Sequence, residues 1–211
     1  MERIQQGDAL LVVDVQNDFC PGGALAVPDG DAVVPVIHRI SRTFPIVVAT
    51  QDWHPRGHIS FASRHEGKNP FEVIEIQGTE QVLWPDHCVE GTPGADFHPR
   101  LDDTAVRFVL RKGANREMDS YSAFVENDRR TTTGLAGLLR ELGVERIFVS
   151  GLATDVCVRA TALDGRGAGF QVALLEDACR PVDVPPGNSN RALEEMRGRG
   201  VLILDSEELK V

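Results

Sequence analysis

RIFVSGLATDVCV, residues 146–158, reads as a strand that turns into a helix. The apolar core of the run, IFV at 147–149, is strand-length and suits a strand covered on both faces. Gly151 breaks the run, and from residue 154 to 163 apolar residues return at helical spacing before the glycine-rich GRGAG at 165–169. The same unit repeats along the chain. Strand-length apolar runs occupy 9–13, 46–49, 106–110, 146–150, 172–175 and 201–204. Helical patterns occupy 32–42, 135–142 and 191–197, the second closed by Gly143 in the position of a helix C-cap. Strands alternating with helices predict an α/β fold: a doubly wound, mainly parallel six-stranded sheet with helices on both faces, in one domain over 1–211.

The charge balance narrows the function. With 22 Lys+Arg against 32 Asp+Glu the chain carries a net charge of -10, which argues against nucleic acid or an anionic membrane as partner. The N-terminal MERIQQGDALLVVDVQ lacks the basic stretch and long apolar run of a signal peptide, and no apolar run reaches membrane length, so a cytoplasmic protein is expected. Cys20, Cys88, Cys157 and Cys179 form no CxxC pair and are expected as free thiols.

Residues 51–104 break the strand–helix rhythm. They hold five of the twelve prolines and five of the six histidines, with no long helical pattern. FEVIEI at 71–76 and QVLW at 81–84, around Gly78, suit a small hairpin. A connection this long inside a compact domain is usually functional.

Placed on the expected strands, the polar residues converge. Asp14 ends the first strand, Asp52 and His54 follow the second, Lys112 ends the third, and Cys157 lies just past the fourth. Open α/β sheets build their sites at these carboxyl ends. Thr154 or Asp155 as helix cap puts Cys157 in the first turn, where free N–H groups and the helix dipole lower a thiol pKa and form an oxyanion hole with Ala153 and Cys157 as donors. A buried structural cysteine is the alternative, and Cys20, Cys88 and Cys179 keep it. Asp14 is either a general base or a turn cap, and Lys112 either its partner or a surface lysine like Arg111 beside it. Asp52 and His54, two apart in an extended segment, point to one side and with His87 suit a metal with open positions. DxH alone is a weak motif, and histidines also line loops without any metal. His58 is either a further ligand or a partner behind the ligands, and His65 and His98 are surface residues. Phe19 and Trp84 suit a flat ring, or simply the core.

DVQNDFCPGG at 14–23, ATQDWHP at 49–55, WPDHCVEGTPGADFHP at 84–99, RKG at 111–113, DSYSAF at 119–124 and GLATDVCV at 151–158 resemble the nicotinamidase/pyrazinamidase family of isochorismatase-like cysteine hydrolases. The likeness runs in order through nearly the whole chain. It implies a triad of Asp14, Lys112 and Cys157, a metal site of Asp52, His54 and His87 for one Zn, Fe or Mn ion, and a cis peptide between Leu152 and Ala153. It also implies a ring site of Phe19, Trp84 and Tyr121. Arg180-Pro181 departs from the Arg-Gly common in the family. The implied activity is hydrolysis of nicotinamide, and of pyrazinamide, through a cysteine thioester, with a homo-oligomer compatible. Another isochorismatase-like amidohydrolase, or a non-catalytic member of the fold, is the alternative.

Overall fold

The inner strands of the central sheet divide their side chains between two cores, and that division places helices on both faces. The structure, a computed structural model, describes residues 1–76 and 78–210. Its strands are β1 (Glu2–Arg3), β2 (Asp8–Val13), β3 (Ile46–Asp52), β4 (Val73–Ile76), β5 (Thr79–Val82), β6 (Phe108–Lys112), β7 (Arg146–Leu152), β8 (Gln171–Arg180), β9 (Leu202–Leu204) and β10 (Leu209–Lys210). The helices are α1 (Val33–Ser41), α2 (Leu135–Glu141), α3 (Arg159–Gly167) and α4 (Asn188–Gly198).

Six strands form one parallel sheet in the order β6-β3-β2-β7-β8-β9, as expected from the sequence. Leu10, Val12, Val47, Ala49 and Phe148 pack on one face with Val33, Val34, Ile37 and Ile40 of α1. Ala9, Leu11, Val13, Val48 and Val149 pack on the other with Leu135 and Leu139 of α2, Ala162 of α3, and Leu193 and Met196 of α4. A strand with no polar face has to be covered twice, which is why β2 and β3 are buried at every position.

The strands differ from expectation at their ends. β3 extends to Asp52 and β6 begins at Phe108 and extends to Lys112, because the ladder β3·β6 continues through Asp52↔Lys112. β8 runs on to Arg180 past an irregularity opposite Val149 and Gly151. α4 begins at Asn188, three residues before the apolar pattern. The hairpin pairs Val73 with Val82 and Ile76 with Thr79, shifted from the expected 71–76 and 81–84. Residue 77, between these strands in sequence, lies outside the described residues.

Among the described residues the long 51–104 connection forms no α-helix and is fastened by side chains instead. Gln16 Nε2 donates to the carbonyls of Asp52 and Ala95, both at 2.8 Å, while its Oε1 accepts from Asp52 N–H at 2.8 Å. Gln51 Nε2 also donates to Ala95 O. These buried amides satisfy backbone groups that a loop cannot pair by itself. Among the described residues no helix is long and apolar enough to cross a membrane.

Candidate active site

β2, β3, β6 and β7 end side by side, and their last residues meet below the sheet edge. Asp14 leaves β2 in the left-handed region (φ 49°), which swings its carboxylate toward the neighbouring strand. Thr50 of β3 holds it from both sides: Asp14 N–H donates to Thr50 Oγ1, and the hydroxyl donates to Asp14 Oδ1 at 2.6 Å. The ammonium of Lys112 lies 2.8 Å from Asp14 Oδ2, 2.5 Å from Asp52 Oδ1 and 3.5 Å from Cys157 Sγ, and donates to Ser120 O at 3.0 Å. Arg111, one residue earlier on β6, points away and stacks on the Trp53 ring, 3.7 Å from its centroid. Alternation along the strand thus separates the buried lysine from the surface arginine.

Burial sets the protonation of this cluster. It pushes the Asp14 carboxyl up to about 6, against the pull of Lys112. It also acts to raise Asp52, but Lys112 and His54 outweigh it and hold that carboxyl well below the usual range. Burial works against the charged form of Lys112, yet the two aspartates keep it firmly protonated.

Cys157 lies in a single π-helical turn, Thr154–Val158, that leads into α3. The chain can enter this turn only because residue 151 is glycine: its φ is 110°, and a Cβ there would collide with the Val13 carbonyl. The Leu152–Ala153 peptide is cis, as the family resemblance implied. Two expectations fail. Neither Thr154 nor Asp155 caps the turn; Ala153 stands at the N-cap without a side-chain bond. Asp155 instead turns away and accepts from Val182 N, Asp183 N and Asn188 Nδ2 at 2.9–3.0 Å. The thiol is not lowered by the turn either. Burial drives it well above its ordinary value, and Asp14 and Asp52 add to that push against Lys112.

The second cluster is built for a cation. Asp52 Oδ2 lies 3.6 Å from His54 Nε2 and 3.9 Å from His87 Nε2. His54 Nδ1 lies 3.0 Å from Gly113 O and His87 Nδ1 lies 2.8 Å from Pro85 O. A carbonyl can only accept, so each Nδ1 carries a proton and each Nε2 turns to the shared space. Burial acts to lower the His54 imidazole, but Asp52 outweighs it and raises it above its ordinary value. Gly113 is required here, since its φ is 63° and a Cβ would strike the His54 ring. Burial lowers His87 to about 4, keeping it neutral. His58 stands outside the Asp52, His54 and His87 group but forms a second one with His54 and Asp119, their ligand atoms within 4.8 Å of one another. Its Nδ1 lies 2.8 Å from Ser60 Oγ, and its Nε2 faces the carbonyls of Asn115 and Met118 at 3.0 and 3.2 Å. Its ring stacks on His54 with centroids 4.2 Å apart.

Between the clusters is a pocket lined by Phe19, Trp84 and Tyr121 together with Asp52, His54, His87, Ala153 and Cys157. Trp84 Nε1 donates to the Tyr121 hydroxyl at 3.3 Å, fixing the two rings edge to face. The sequence reading missed Leu25, Val27, Val156, Val182 and Asp119, which complete the wall. Asp119 stood in the DSYSAF motif without a role; a lone acid beside a serine carries no signal until the fold buries it.

A family model for the isochorismatase domain matches residues 8–208. The chain belongs to the isochorismatase family. Within the family it is 48% identical over 211 residues to a nicotinamidase of Acinetobacter baylyi, covering 99% of this chain and 98% of that one. Its structure superposes on a nicotinamidase/pyrazinamidase of Acinetobacter baumanii with a TM-score of 0.94 and 48% identity, over 97% and 98% of the two chains. The pyrazinamidase of Pyrococcus horikoshii in complex with zinc matches at TM-score 0.77 and 42% identity, over 94% and 99%. The isochorismatase-family sheet is thus shared over the full range that carries the pocket.

Proposed function

We propose that the chain is a nicotinamidase, hydrolysing nicotinamide to nicotinate and ammonia, and pyrazinamide to its acid. The observation that carries this reading is the pocket itself: a cysteine with an aspartate–lysine pair at one end, aromatic side walls, and a cluster of Asp52, His54 and His87 at the other. Such a pocket suits a flat ring with an amide on one side and a lone pair on the other. The relatives' names point to the same substrate.

The steps follow from the side chains. Because burial keeps the Cys157 thiol protonated, the proton must leave as attack occurs. Asp14, whose carboxylate lies within 4.8 Å of the sulfur, is the base. Sulfur attacks the amide carbon, and the backbone N–H groups of Ala153 and Cys157 hold the oxyanion. Asp14 returns the proton to the leaving nitrogen, ammonia departs, and a thioester remains. A water deprotonated by Asp14 attacks the thioester carbon, the C–S bond breaks to release the acid, and Asp14 returns the proton to the Cys157 sulfur. Lys112 keeps the carboxylates in place and offsets the charge that develops. The free Nε2 atoms and the Asp52 carboxylate fit one divalent ion (Zn, Fe or Mn), which supplies a Lewis acid for the ring nitrogen and so orients the substrate.

The test is ammonia release from nicotinamide, with benzamide as control. Benzamide has the same shape and no ring nitrogen, so it should turn over roughly ten- to a thousand-fold more slowly, the cost of one lost orienting contact of about 1.4–4 kcal/mol. Equal rates for the two would replace the nicotinamidase reading with a general amidase.

A further inference from the structure

Asp119 is a buried carboxylate with no lysine or arginine salt bridge among the described residues, one of its oxygens lying within 4.8 Å of a nitrogen of His54 and of His58. It is 3% exposed and lines the pocket. One oxygen accepts from the Gln81 side-chain amide at 2.8 Å and the other from Ser120 N–H at 2.8 Å. A carboxylate offers about four lone-pair positions, and two neutral donors fill only half of them. Asp14 and Asp52 both meet Lys112, but among the described residues no salt bridge reaches Asp119. Acids this deeply buried are ordinarily paired with a lysine or arginine, so one that faces a cavity without such a partner is placed to act on the charge of what enters it. Its charge reaches the chemistry, since it adds to the upward push on the Cys157 thiol and the Tyr121 phenol.

We propose that Asp119 is a specificity-determining residue that lets the pocket hold the neutral amide and expel the anionic acid. The inference rests on the amide-hydrolysis reading above. Amide and acid have nearly the same shape, so walls cannot tell them apart; charge can. Around the pocket, three buried carboxylates (Asp14, Asp52 and Asp119) face one ammonium, Lys112. A divalent ion held by Asp52, His54 and His87 brings that set to neutrality, which suits an uncharged substrate. Hydrolysis then places a new carboxylate in the low-dielectric pocket that Asp119 lines, where like charges repel. Without Asp119 the loaded pocket is left with one excess positive charge and becomes an anion site. Gln81, on β5, holds the carboxylate from behind and also lies 3.3 Å from the Tyr121 hydroxyl, so the hairpin keeps the charge and the ring wall in register.

The test is titration calorimetry of nicotinate and of nicotinamide on the metal-loaded full chain, in a Cys157→Ala background so that nothing turns over. Asp119→Asn should bind nicotinate on the order of ten-fold or more tighter, with nicotinamide changed far less. Asp119→Glu keeps the charge at similar bulk and should leave nicotinate weak. Asp119→Ser gives the same readout as Asn should the new amide clash with Gln81. Unchanged nicotinate affinity in the neutral variants, or equal tightening of both ligands, overturns the inference while leaving the nicotinamidase reading intact. Failure of the unaltered-Asp119 chain to bind either ligand, with no ammonia released by the parent enzyme, overturns both.

Discussion

A lysine buried between two aspartates stays charged, and it leaves one of the two carboxylates less than fully compensated. That is the position of Asp14, which burial holds at about 6 while Asp52 ionises freely. The base must be a carboxylate to accept the thiol proton, so kcat/KM should fall as pH drops through about 6; a flat profile from pH 8 to 5 would remove Asp14 from the proton path. The same displacement has the opposite sign for stability. A carboxyl whose pKa rises on folding favours the folded state when protonated and opposes it when ionised. Asp14→Asn should therefore raise the melting temperature of the metal-free protein at pH 7.5 while abolishing turnover. Cys157→Ala should remove essentially all activity and leave folding and metal content unchanged, since its thiol is not a ligand in the Asp52, His54 and His87 cluster. Asp14→Asn and Lys112→Ala should each cost about a thousand-fold or more, and the pair little beyond the worse single change, because the residues act as one unit. Losses that multiply would show two independent roles.

At the scale of the element, two short segments decide whether the pocket closes around its ring. Asp155 ties the Cys157 turn to the segment 182–188, which contributes Val182 to the wall. Asp155→Ala should raise KM more than it lowers kcat, with a loss of about 1–3 kcal/mol in stability from the orphaned donors, read by chemical denaturation. The role of Asp155 was invisible in GLATDVCV, since an acid near a helix start has a ready local use as cap; its real partners lie about thirty residues on. The strands and their catalytic ends were legible for a different reason. Doubly covered strands must be largely apolar, so Asp14 and Asp52 stand out where such a run stops, and Lys112 stands out where the edge strand β6 ends. The 51–104 connection marked itself by its histidines, but how it is fastened did not show, because Gln16 and Gln51 bond to backbone and backbone has no sequence signature. The shortened expectation for β8 has the same origin: apolarity fades after Leu175, while pairing with β7 resumes at Cys179.

For the whole molecule, metal and fold are linked through the buried negative charge that Lys112 alone does not balance. Chelation should abolish activity and lower the melting temperature, and Zn²⁺, Fe²⁺ or Mn²⁺ should restore both in part; a chelated protein with full activity would sever that link. The sheet order adds a consequence in time. β6, which brings Lys112, is the edge strand of the sheet, yet it closes a cluster whose acids belong to β2 and β3, made far earlier in synthesis. A nascent chain that has emerged only past β3 carries Asp14 and Asp52 with no ammonium to answer them, and its central strands still lack β7 on the other side. Such a chain has little reason to settle on the ribosome. Arrested chains ending before residue 108 should be digested readily by protease, and resistance should appear in one step once β7 is clear. The enzyme would then be born late and nearly whole, with a demand on holding chaperones set by the distance along the chain between its acids and their lysine.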